Sequence, residues 1–271
     1  MARLLVAAVL LVLHVAPVPL VGAELQNSTV AAFDRYVRAT EALATGDGPF
    51  LWIDGLPDVE RRAKLDIVTR GGLVIEPLTT RENGRAIDVP GGMIHHWMGV
   101  VFVPRATVNQ AIALLQDYDA HEAIYKPAIA RSRTLARDGD VFRVYLRYYM
   151  KKVITVIINS EHEARFVRIG ADRARIRIQS LRIAEVENPD TPTERERPVG
   201  NDGGYLWRLN TYWRFLERDG GTYVQCEGVS LTRGIPVGFG WLIGPFVTSI
   251  PRESLTFTLE TTRTTLARQA R

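Results

Sequence analysis

The sequence predicts an α+β fold: an antiparallel sheet, one long C-terminal helix lying over it, and a helical extension ahead of both. Two alternating runs and one helical stripe point to it. In "DVFRVYLRYYM" Phe142, Val144, Leu146, Tyr148 and Met150 share one face, and Arg143 and Arg147 the other, as in a strand with one buried and one wet side. In "GYLWRLNTYWRFL" Tyr205, Trp207, Leu209, Trp213 and Phe215 face one way, and Arg208, Asn210 and Arg214 the other. Near the end, Leu255, Leu259, Thr262 and Leu266 recur at helical spacing. One apolar stripe on one helix needs one apolar surface to cover it, and the aromatic side of the sheet supplies it.

In chain order, the first element is a leader. "MARLLVAAVLLVLHVAPVPLVGAE" sets one Arg before an apolar run and ends in Val-Gly-Ala ahead of Glu24, the layout of a secretory signal cleaved after Ala23. A membrane anchor is the competing reading, because the run approaches the length of a span; Pro17 and Pro19 interrupt it. Cleavage places the mature protein outside the cytoplasm, secreted or periplasmic. The single cysteine, Cys226, excludes an intramolecular disulfide, so stability rests on an ordinary core. A net charge of +4 with acids and bases interspersed leaves no nucleic-acid footprint. Asn27-Ser28-Thr29 matches a glycosylation acceptor, relevant only on a eukaryotic secretory route.

Residues 24–90 read as an extension of two helices and a loop packed on the main body. Ala32, Phe33, Tyr36, Val37 and Leu43 fall near one helical face. The segment Asp58 to Arg70 starts acidic, ends basic and is followed by Gly71-Gly72, the order that helix termini favour.

Residues 91–271 form the main domain. "GGMIHHWMGVVFVP" reads as a strand, and a helix follows from Ala106-Thr107 with Val108, Ile112, Leu114 and Leu115 buried. Further strands are "IARSRTLAR", "DVFRVYLRYYM", "VITVIIN", "ARFVRIG", "ARIRIQSLRIAEVE" and the pair joined by Asp219-Gly220-Gly221, a hairpin signal. Residues 188 to 204, polar and Pro-bearing, read as a mobile surface loop. The apolar stretch "IPVGFGWLIGPFV" is too broken by Gly and Pro for one regular element, and the last helix begins where Ser249 caps it, with Pro251 in its first turn.

This order, and in particular the strand leading into "ATVNQAIALLQDYDAHEAIYKP", the strands ending at "YVQCEGVSL" and the terminal "SIPRESLTFTLETTRTTL", resembles the START-like, Bet v 1-like superfamily, also called the polyketide cyclase and dehydrase or helix-grip family. The resemblance spans roughly residues 92 to 270. It implies a sheet curved around the last helix and enclosing a cavity for an apolar ligand, often a lipid, sterol or polyketide. The implied lining is Tyr118, Tyr125, Phe142, Leu146, Tyr148, Ile176, Trp207, Leu209 and Trp213, with Trp241 and Phe246 in a gate at the mouth. The same aromatics also fit a plug of ordinary core between helix and sheet.

Other constellations read more simply. His95 and His96 on one strand point to opposite faces, so one lines the cavity, the other is exposed, and they grip no common metal. His121, Asp117, Asp119 and Glu122 read as a solvated helix end, and Cys226 as a buried, inert thiol. Arg168, Arg173, Arg175 and Arg177 form the one basic cluster; on an outer sheet face they are suited to transient contact with anionic head groups. No catalytic set, metal or cofactor is expected. Three functions follow in order: non-enzymatic binding or transport of a lipid or other hydrophobic small molecule in the cell envelope; a polyketide cyclase-type enzyme with His95 or His96 and Tyr148 as acid-base groups; and a protein-interaction module with a filled core.

Overall fold

The computed structural model describes residues 23–45, 48–151, 155–235 and 240–270, with the side chains of 240–248 left aside. Residues 1–22, on which the leader is read, lie outside this set, as do residues 236–239 ahead of the expected gate pair Trp241 and Phe246.

The extension opens with α1 (Asn27–Thr45) and, past a 3-10 turn at Trp52–Gly55, α2 (Asp58–Thr69). α2 carries Asp58 and Glu60 in its first turn. It ends in a Schellman motif: Gly71 at φ 86 donates to the Val68 carbonyl and Gly72 to that of Ile67. Strand β1 (Val74–Pro77) follows, unanticipated by the sequence reading. Next come β2 (Gly92–Pro104), α3 (Val108–Gln116) and a single turn, α4 (His121–Ile124). α3 starts at a capping box in which Thr107 and Gln110 satisfy each other's backbone N–H.

The remaining strands are β3 (Ile129–Asp138), β4 (Val141–Lys151), β5 (Thr155–Arg168), β6 (Arg173–Glu187), β7 (Arg208–Arg218) and β8 (Gly221–Arg233), and α5 (Gly240–Gln269) follows them. Asp219 and Gly220, at φ 58 and 74, turn β7 into β8 as a hairpin of this kind requires. The described parts of the two runs "VITVIIN" and "ARFVRIG" belong to one strand, β5, from Thr155 to Arg168. Their continuity was hidden because Ser160 and His162, both inward and buried, look polar in sequence.

The strands form one antiparallel nine-stranded sheet in the order β1-β2-β8-β7-β6-β5-β4-β3, with Arg195–Glu196 pairing β6 as the ninth. Bulges in β3 and in the β5–β6 pair bend it. One core cluster draws residues from β2 through β8, from α3 and from the α5 stripe Leu255, Leu259 and Leu266. The architecture is a helix-grip: a large antiparallel sheet packed against a long C-terminal helix.

α5 departs from expectation at its start. It begins at Gly240, so Ser249 and Pro251 lie inside it and the apolar stretch from Gly240 on is helical. Gly and Pro penalties are local propensities of about 1 and 3 kcal/mol, which tertiary context can override.

The other face of the sheet is covered twice. α1 lays Phe33, Tyr36 and Val37 on Val229 and Leu231 of β8, while Leu51, Ile53 and Val68 pack on Val100, Phe102, Leu216 and Tyr223. The connection 188–204, expected to be a mobile loop, is a strap held to the outer face. Glu194 takes both Arg147 nitrogens at 2.8 and 2.9 Å, and Glu196 accepts from Asn159 at 2.8 Å and pairs with Arg182. Arg147 therefore faces outward, as the alternation predicts, yet is only 3% exposed.

Candidate functional site

The register aligns the inward residues of the sheet in rows. One row runs Gly99, Cys226, Trp213, Ile176, Phe166 across β2, β8, β7, β6 and β5, and every member is buried. The next runs Trp97, Gly228, Thr211, Ile178, Ala164. There the first four residues are only half-buried, although the same face packs against α5. Leu209 and Ser180, joined by a 3.0 Å bond from the Leu209 N–H to the Ser180 hydroxyl, are half-buried in turn.

Two glycines make the contrast concrete. A Cβ at Gly99 would overlap Leu259 Cδ1 of α5, whereas among the described residues a Cβ at Gly228 would meet Thr211 Cγ2 alone, at 3.9 Å. Among the described residues, the interior is tightly packed over the first row and more open over the second.

Polar groups are buried in the same interior. His162, across from Ser180 in the register, is 1% exposed; its Nε2 lies 2.9 Å from Ser160 Oγ and 3.5 Å from Tyr148 Oη. Its Nδ1 has no partner, and neither has the buried hydroxyl of Tyr118. Tyr118 packs at 4.7 Å from the His121 ring and 5.8 Å from Phe142. Tyr125 bonds Thr262 of α5 at 2.9 Å, and His95 bonds Thr232 at 3.0 Å. Burial pushes His95, His121 and His162 down to about 4 and raises the Tyr118, Tyr125 and Tyr148 hydroxyls. All six groups are therefore neutral near pH 7. Burial likewise raises the Cys226 thiol.

At the end of the sheet where β8 leaves toward α5, a pocket of ≈ 420 Å3 opens beside Glu185, Arg197 and Tyr205. Glu185 is 5% exposed and accepts from the N–H groups of Gly203 and Tyr205 at 2.8 and 3.1 Å; burial raises its pKa.

Of the residues expected to line a cavity, Tyr118, Tyr125, Phe142, Leu146, Ile176 and Trp213 come together in one cluster, with Tyr148 packed against it. Leu209 is inward and half-buried. Trp207 is not among them. It precedes β7, so the alternation does not extend to it; it packs with Phe33, Tyr36 and Leu231 on the outer face and donates to Asp202 at 3.0 Å. Trp241 and Phe246 fall in the first turns of α5, and their side chains lie outside the described residues.

His96 is not exposed but buried under α1. Tyr36 accepts from the Thr80 N–H at 2.8 Å and so donates to His96 Nδ1 at 3.0 Å, leaving Nε2–H for Glu227 at 2.8 Å. His121 is not solvated either, being 5% exposed between Tyr118 and Tyr125. Among the basic cluster, Arg177 pairs with Glu41 at 2.6 Å, Arg173 with Asp172 at 2.9 Å, and Arg168 bonds Asn109, while Arg175 is exposed. Sequence reading missed His162, Ser160 and Gly228. Strict alternation through "INSEHEARF" would have set Ser160 and His162 on the side of Ala164 and Phe166. Among the described residues, no three His, Cys, Asp or Glu side chains are grouped to hold a metal ion, and no helix is long and apolar enough to cross a membrane.

No protein-family model matches the sequence, and no curated protein does. Solved structures similar to it include a STAR-related lipid transfer protein from Xanthomonas axonopodis, at 19% identity and TM-score 0.45 over 67% of this chain and 96% of that one. The Zhui aromatase/cyclase from Streptomyces sp. R1128 is similar at 12% and 0.46, over 66% and 97%. Human STARD10 is similar at 11% and 0.42, over 76% and 80%. These structural neighbours are START/Bet v 1-like proteins, and the likeness is one of fold alone.

Proposed function

We propose that the protein binds, without chemistry, an uncharged hydrophobic small molecule or lipid in the hollow between the inner sheet face and α5. The observation that carries this is the half-buried row Trp97, Gly228, Thr211 and Ile178 beside a fully buried one. Three of its four members are apolar or lack a side chain, as suits a site for such molecules. The reading includes export with Glu24 as the first mature residue and transient contact with a membrane surface when cargo is exchanged. A cyclase-type reading has the Tyr148–His162–Ser160 contacts in its favour, since a neutral imidazole is the form a general base needs.

Titrating the purified protein with pyrene and following its emission tests the binding reading. Saturable binding near one molecule per chain, displaced by a lipid extract, is expected. Absence of binding to a folded protein overturns it. Turnover of an added polyketide-like substrate, lost in His162→Phe, would favour the cyclase instead.

A further inference from the structure

Three polar side chains border the more open row of the inner face. Gly228 lies in register between Trp97 of β2 and Thr211 of β7, and Ser230 follows two residues on along β8, on the same face. Trp97 packs against the core cluster that includes Leu255 and Leu259 of α5, and the Thr211 side chain leans toward Gly228, since a Cβ built there would meet Thr211 Cγ2. Neighbouring strands stand about 5 Å apart and alternate residues of one strand about 7 Å. The three side chains therefore rim one patch about 10 Å across, whose middle residue, Gly228, has no side chain.

Among the described residues, the Trp97 indole N–H and the Thr211 and Ser230 hydroxyls have no hydrogen-bond partner. Nor are they sealed in: Trp97 and Thr211 are half-buried, and all three polar atoms keep accessible surface. An indole N–H can only donate, and each hydroxyl brings one proton. Donors grouped around one gap suit an oxygen that accepts from two of them at once, and a carbonyl oxygen, with two lone pairs and no proton of its own, is such an acceptor. A pure hydrocarbon over Gly228 would strip water from these groups and replace none of it, which weakens binding.

Building on the proposed function, we infer that the ligand is an apolar molecule with a carbonyl oxygen, seated over Gly228 and accepting from Trp97 Nε1 and the Thr211 hydroxyl, with the Ser230 hydroxyl at the rim of the same seat. The test compares 1-acetylpyrene, 1-(1-pyrenyl)ethanol and 1-ethylpyrene, which share one skeleton and differ at one oxygen. In the unmodified protein the ketone is expected to bind about tenfold more tightly than the hydrocarbon, with the alcohol between them. Thr211→Val, which keeps the shape and removes the hydroxyl, should cut the ketone-to-hydrocarbon ratio about threefold while the dissociation constant for 1-ethylpyrene stays within about twofold. Trp97→Phe should cut the ratio by a similar factor, and the double variant should bring it close to one. Equal binding of ketone and hydrocarbon, tightest binding of the alcohol, or a ratio unchanged in the double variant overturns this inference and leaves the apolar-ligand reading standing. Failure of all three probes to bind the folded protein overturns both.

Discussion

Three inward histidines have no place for a proton. His95, His121 and His162 are each held near 4 by burial, against an ordinary value of 6.5. A base whose folded-state pKa is depressed is protonated more readily in the unfolded chain. Its contribution is therefore complete above 6.5, falls as pH drops from 6.5 toward 4, and changes no further below that. One such group is worth at most roughly 3 kcal/mol over that window. The melting temperature should accordingly fall between pH 7 and pH 4.5 at constant ionic strength. His121→Phe keeps a ring against Tyr118 and Tyr125 and removes one titrating group, so it should flatten the profile. A profile unchanged in slope would show that His121 is already charged in the folded protein.

At the scale of elements, what matters is how the strap and α5 are fastened. Glu194 is the bidentate partner of a guanidinium that is 3% exposed, and Arg147 in turn holds the Glu194 carboxyl down at about 2. Glu194→Gln leaves a buried cation short of its counter-charge, an arrangement that costs more than the pair was worth. Faster hydrogen exchange over residues 188–200 is the expected outcome, with pyrene affinity unchanged because the strap lies on the outer face; coupled loss of affinity would mean that the strap shapes the hollow.

α5 fastens differently. It is rich in β-branched Thr, and Thr256, Thr258, Thr262 and Thr264 each donate to the carbonyl four residues back, so the hydroxyl of Thr262, the buried one of the four, is satisfied where the helix meets the sheet. It comes very close to the sheet at Gly99, where any Cβ overlaps the fully buried Leu259. Gly99→Val should destabilise the protein by about 1 to 3 kcal/mol in denaturant unfolding, and Leu259→Ala in the same chain should recover part of that loss.

For the whole molecule, Gly228 is the counterpart of Gly99. Both face inward, but among the described residues only Gly99 has a neighbour closer than 3.9 Å. Gly228→Leu is expected to fill the hollow, weakening pyrene binding at least about tenfold while the unfolding midpoint stays within about 1 kcal/mol. A clear loss of stability from Gly228→Leu would mean that the interior is solid at both rows and would remove the basis for ligand binding.

Much of the fold was legible along the chain. Period-two runs located β4 and β7, the Asp219-Gly220-Gly221 turn located β8, charge order and paired glycines marked both ends of α2, and the single stripe of α5 required one apolar sheet face. These are local patterns, written by residues a few positions apart. The same locality explains the misses. Trp207 shares the parity of Trp213 but precedes the strand, so its ring goes to α1, and His96 owes its burial to Tyr36, sixty residues away in sequence. Which rows are packed and which are hollow depends on where α5 crosses the sheet. Alternation assigns Gly99 and Gly228 to the same face, but only the docked helix makes Gly99 a close contact and leaves Gly228 more open. Burial of His162 among inward strands, together with the commitment of the Ser160 proton to Leu146, likewise arises from cross-strand neighbours. A sequence gives each side chain its chemistry, and the register and the crossing helix set the partners it meets.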